Sequence, residues 1–125
     1  MMRAGYAAEV TVTNGQRFSS LGGVTVRNRR LALLWLRGQA LRLADGHGHA
    51  APVTPTRLSA ADVRPVRFHG SDAPQRLRAW ATDGERQDLA IRALESGFPV
   101  LFTVVDPVIG LSLTLAGWRG SLPDS

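Results

Sequence analysis

The sequence predicts an α+β fold that is mainly β: a small antiparallel sheet, arranged as a meander, a roll or a barrel, with one helix at about residues 83–96 packed on it. Three observations predict this class. The most apolar stretch, residues 98–117, divides into two strands, and Asn14 with Gly15 forms a strong hairpin signal. Turn residues also recur about every eight to twelve positions, as they do in β-sandwiches and barrels.

The first predicted element is an N-terminal hairpin. Residues 8–13 alternate between apolar and polar side chains and are followed by Asn14 and Gly15, which suit a hairpin turn because both of its central residues need positive φ. Residues 16–21 form the returning strand, and the glycine pair at 22–23 is expected to end it. A third strand is expected to start at Val24.

The middle of the chain predicts further strands separated by a loop. The apolar run at 31–36, LALLWL, and the alternating residues 39–44 both predict strands. Residues 46–56 contain glycines and prolines without periodicity and predict an exposed loop. Residues 66–68 predict a short strand.

Residues 71–81 fit two structures. Asp72 as a cap, with Pro74 in the first turn, would start a helix. The arginines at 76 and 78 and Trp80 also alternate with apolar residues, and this alternation favours a strand at 76–81.

The predicted helix at 83–96 has signals at both ends. Thr82 and Glu85 have the spacing of a capping box, and Gly97 is suited to a left-handed cap at the C-terminus. Apolar residues between them recur on one helical face. The helix is therefore expected to pack on the sheet and lead into the C-terminal hairpin.

The C-terminal hairpin holds the most apolar strands. Residues 100–105 form a nearly unbroken apolar run, typical of a strand buried on both faces. Residues 108–116 alternate between branched apolar and small side chains. Between them, Asp106 can accept a backbone hydrogen bond and Pro107 fixes φ in a turn. The aspartate and the prolines argue against a membrane-spanning helix here, so no membrane is expected.

One domain is expected over residues 1–125, with loose ends at 1–7 and 119–125. A chain of 125 residues can bury a core without metal ions or disulfides. The absence of cysteine excludes disulfides, thiolate catalysis and cysteine-ligated zinc. The first residues lack the apolar segment of a signal peptide, so the expected location is the cytoplasm or an assembled particle.

Catalytic, metal and cofactor sites are not expected. His47 and His49 lie two residues apart near Asp45, but a metal site needs three or four donors held in place. No nucleophile elbow, phosphate loop or dinucleotide fingerprint occurs. The site prediction therefore contains no catalytic residue, no metal and no cofactor, and an enzyme is the third hypothesis after two binding roles.

The second hypothesis is arginine-mediated nucleic-acid binding. The net charge is +5, and all fifteen cationic side chains are arginine, which binds phosphate bidentately. The absence of lysine is also what the coding bias of a GC-rich genome would produce. If residues 66–68 and 76–81 are neighbouring strands, Arg67, Arg76, Arg78 and Trp80 would share a face that offers phosphate contacts and a stacking surface.

The first hypothesis is a non-enzymatic structural protein: an assembly or protein–protein interaction module that forms a homo-oligomer. The small side chains on one face of residues 108–116 would let a second subunit approach, and an edge strand there could extend a sheet between protomers. Subunits of phage-like and other particle-like assemblies offer an architectural analogy. The predicted self-association residues are Ile109, Leu111, Ser112, Leu113 and Thr114.

Overall fold

The computed structural model describes residues 5–45 and 72–120, which form four strands and three helices. In chain order these are β1 Tyr6–Thr13, β2 Phe18–Val26, α1 Arg29–Asp45, α2 Ala73–Thr82, α3 Gly84–Glu95, β3 Val100–Asp106 and β4 Leu111–Arg119. The predicted loop at 46–56 and the predicted strand at 66–68 lie outside the described residues.

The strands form an open antiparallel sheet in the order β2-β1-β4-β3. The predictions of an α+β class and an antiparallel sheet are confirmed. The prediction of a barrel is wrong because the sheet does not close. The prediction of a mainly β fold with one helix is also wrong, since the described residues form three helices, and about 43% of these residues are helical.

The N-terminal hairpin is confirmed, and side chains at its turn accept backbone hydrogen bonds. The Asn14 carboxamide oxygen accepts hydrogen bonds from the backbone N–H groups of Gln16 and Arg17, at 2.9 and 2.8 Å, while Gly15 has φ +93°. The predicted break at the glycine pair 22–23 is wrong. Strand β2 continues through these glycines. Leu21, just before them, is the extra residue of a β-bulge, so that Gly22 pairs with Val10 and Ser20 with Thr11.

The C-terminal hairpin is confirmed as β3 and β4. The Asp106 carboxylate accepts a hydrogen bond from the N–H of Val108 at 3.1 Å, which is the turn-capping role that the sequence predicts. Gly110 completes the turn at φ +66°. Burial on both faces is wrong for β3, whose residues alternate strictly between buried and exposed.

The predicted strands at 31–36 and 39–44 are both wrong, because these residues lie within α1. The helix starts where the Asn28 side chain accepts a hydrogen bond from the N–H of Leu31 at 2.9 Å, a capping interaction. Its buried residues cover a broad surface, since α1 packs against both the sheet and α2. A helix buried over so wide a surface yields an apolar run that resembles a strand.

The prediction of a strand at 76–81 is also wrong, whereas the helix at 83–96 is confirmed as α3. Helix α2 buries Ala73, Leu77, Trp80 and Ala81, which recur at helical spacing. The cap of α3 differs from the prediction: the Asp83 carboxylate accepts from the N–H groups of the next turn. Residue Thr82 instead donates its hydroxyl to the Arg78 carbonyl.

The core lies between the three helices and one face of the sheet. Helix α1 packs tightly on β4 at Gly117, where an added Cβ would lie 3.2 Å from Leu36 Cδ1. Leu36 is fully buried, and this glycine makes room for it. The fold is therefore a two-layer arrangement in which the helices cover a single face of the sheet.

Candidate interaction surface

The second face of the sheet, here called the open face, is not covered by the described helices. Its central row runs across three strands through Thr103, Thr114 and Thr11, which occupy register positions next to one another. The Thr103 and Thr114 hydroxyls are 2.9 Å apart and share a hydrogen bond. Within the four strands, the open face carries one charged residue, Glu9. This face therefore has a central polar row and is nearly uncharged.

The predicted self-association strand, β4, cannot extend a sheet between protomers, because it is an interior strand. Both of its edges are used, one by β1 and the other by β3. Leu113 is completely buried towards the helices, Leu111 is half-buried, and Ser112 and Thr114 lie half-buried on the open face. Of the five predicted residues, only Ile109, in the turn before β4, is exposed.

The edge of the sheet next to β4 is formed by β3, whose outer side has no strand partner among the described residues. Exposed apolar side chains concentrate around it. Of the eight large apolar residues that are exposed in the described chain, five lie within residues 98–109. They are Phe98, Leu101, Val105, Val108 and Ile109. Leu101, at 67% exposure, and Val105, at 45%, lie in β3 itself and point to the open face.

Strand β3 also lacks the features that usually protect an edge. Proteins discourage edge-to-edge pairing with charges, prolines, bulges or very short strands. Residues 100–105 contain no charge and no proline, and the register with β4 is regular over seven pairs. The opposite edge, β2, has the bulge at Leu21 and two glycines, although Phe18 at its start is exposed. The unprotected edge is therefore β3.

The predicted nucleic-acid face does not assemble. Trp80 is only 4% exposed and stacks on Phe102, with ring centroids 5.2 Å apart and planes 13° from parallel, so it offers no surface to a base. Arg76 and Arg78 are exposed on α2, but two residues along a helix point in nearly opposite directions. The fourth residue, Arg67, lies outside the described residues.

Most of the positive charge in the described chain is on the helical layer. Eight of its eleven arginines belong to the three helices, and α3 also carries three acidic residues, Glu85, Asp88 and Glu95. One pair, Arg29 and Glu95, lies at 3.6 Å, and Arg86 lies over the Phe102 ring at 5.5 Å from its centroid. The charge is thus spread over the helices and is not gathered beside the apolar residues of β3.

Residues 5–45 and 72–120 contain no group of three histidine, cysteine or carboxylate side chains able to hold a metal ion. His47 and His49 lie outside these ranges. None of the described helices is long and apolar enough to cross a membrane.

Within residues 5–45 and 72–120, these features define a two-layer α+β arrangement with one unprotected sheet edge. Comparison with known proteins assigns it no family: the chain matches no family model, no curated protein and no solved structure.

Proposed function

We propose that this chain is a non-enzymatic assembly or protein-interaction module that works as a homo-oligomer and binds its partner through β3. One observation carries the proposal: β3 is an edge strand whose residues 100–105 contain no charge, proline or bulge, and exposed apolar residues lie along and beside it. This proposal moves the self-association surface from β4 to the strand beside it.

Two contributions favour binding at this edge. An edge strand has backbone N–H and C=O groups that point away from its own sheet, and an added strand satisfies them. Apolar side chains that point out beside that edge add burial on contact, and large exposed apolar patches on soluble proteins commonly mark interaction sites. Both contributions meet at Leu101 and Val105, which lie in the edge strand and are exposed on its open face.

The first experiment separates a protein partner from nucleic acid. We expect size-exclusion chromatography with light scattering to give an oligomer of the 13.5-kDa chain at low and high salt, with an absorbance ratio at 260 and 280 nm typical of protein alone. Apolar and main-chain contacts are weakly screened by salt, whereas phosphate contacts are lost as salt rises.

The control is the double variant Arg76→Ala with Arg78→Ala, which should leave the oligomer mass unchanged. A monomer that carries nucleic acid at low salt, releases it at high salt and loses it in this variant would contradict the proposal in favour of an arginine-mediated binder.

A further inference from the structure

We propose that the occupant of the β3 edge is β3 of a second copy of this chain, paired antiparallel about a twofold axis that passes through Thr103. The two four-stranded sheets would then continue as one sheet with eight strands, and the helices of both copies would lie on the same face. This inference rests on the proposed function and names its partner, its strand and its register.

Self-pairing of this strand is governed by its register. In an antiparallel pair, each residue i lies opposite a residue j of the partner strand, and i + j has the same value for every pair. When this sum is even, the helical layers of the two copies lie on the same face of the joined sheet. A slip of the register by one residue would place them on opposite faces. The even registers near the middle of β3 are centred on Phe102, Thr103 or Val104.

Only the register centred on Thr103 uses the whole strand. It pairs all seven residues of Val100–Asp106, whereas either neighbouring register pairs five. It also sets Leu101 opposite the second copy's residue 105, and Val105 opposite residue 101. Two apolar pairs therefore form on the open face, where these side chains are exposed in the single chain. Directly opposed side chains contact one another in an antiparallel pair.

The charge distribution favours a second copy over a charged peptide. Each chain carries a net charge of +5, so two copies repel unless the surfaces that meet are poor in charge. Residues 100–105 carry none, and the one ionisable residue of β3, Asp106, is buried and caps its own turn. A charged peptide would find no complementary charge along this strand, whereas an identical strand brings matching apolar groups.

Because the chain contains no cysteine, single cysteines can report the register. We expect Thr103→Cys to form a disulfide-linked dimer under mild oxidation, since residues facing each other across an antiparallel pair have Cα atoms about 4.5–5.5 Å apart, within disulfide reach. Leu101→Cys and Val105→Cys should each form no disulfide-linked dimer alone, because each is about 13 Å along the strand from its equivalent. Mixed together, these two variants should give a crosslinked heterodimer.

The matched control is Thr25→Cys, an exposed position on the opposite edge strand, β2. It should form at least tenfold less dimer than Thr103→Cys at the same protein concentration and oxidation time. Far-UV circular dichroism of each variant checks that the fold is kept.

The outcomes separate this inference from the proposed function. If Thr103→Cys gives no disulfide-linked dimer while sedimentation shows that the unmodified chain is an oligomer, the β3 register is wrong and the assembly role stands. If the unmodified chain is also monomeric at the same concentration, self-association fails as well. Equal crosslinking at positions 103 and 25 would mean random collisions and would overturn the pairing.

Discussion

Replacing Trp80 with alanine is expected to lower the free energy of unfolding by about 3–5 kcal/mol, the range measured for removal of large buried aromatic residues. Trp80 is 4% exposed and stacks on Phe102 of β3, so its loss leaves a cavity between α2 and the edge strand. Stacking itself adds about 0.5–1.5 kcal/mol beyond the buried area. Urea denaturation followed by far-UV circular dichroism measures the change.

The control for this prediction is Arg76→Ala on the same helix. Arg76 is exposed, so we expect its removal to change the free energy of unfolding by no more than about 0.5 kcal/mol. If Trp80→Ala were equally neutral, the tryptophan would not be a core residue. That result would contradict the position of α2 and restore Trp80 as a surface for stacking bases.

The second large effect is expected on self-association. Replacing both Leu101 and Val105 with lysine should weaken it by roughly a hundredfold or more, because the proposed register loses its apolar pairs and brings like charges directly opposite each other. Both side chains are exposed, so the free energy of unfolding of the monomer should change by no more than about 0.5 kcal/mol. Sedimentation velocity over a range of concentrations measures the loss.

A charge-matched partner makes the same experiment specific. The chain with glutamate at positions 101 and 105 should also be monomeric alone, yet a mixture of the lysine and glutamate variants should form a heterodimer, because opposite charges then face each other. Native mass spectrometry distinguishes the species. A lysine variant that self-associates as tightly as the unmodified chain would place the interface elsewhere.

Local signals in the sequence were sufficient for the hairpins and for α3. The Asn14 turn, the Asp106 turn and the Gly97 cap, with φ +87°, depend on residues within a few positions of one another. The α1 region was not predictable in this way. Its apolar run fits a buried strand or a helix packed on two sides, and only the position of α1 between the sheet and α2 decides between them.

Identifying the edge strand requires the order of the strands in the sheet, and no local sequence pattern specifies that order. The sequence directed the self-association prediction to residues 108–116, most of which lie in the interior strand β4, whereas the proposed surface is the neighbouring edge strand β3. A continuous apolar run such as 100–105 predicts a central strand, and β3 lies at the edge. The small residues of β4, Ser112, Thr114 and Ala116, suggested an approach by another subunit, but they belong to an interior strand that has β1 and β3 on its two sides.

Amide hydrogen exchange at several protein concentrations tests the central claim, that a second copy occupies the β3 edge, most directly. The outward N–H groups of an edge strand are unbonded in a single chain and become bonded when another strand pairs with it. We expect protection across Val100–Asp106 to rise with concentration, while protection across Phe18–Val26 of β2 stays constant. The claim would be contradicted if protection of β3 did not change with concentration, or if protection rose with concentration in β2 alone.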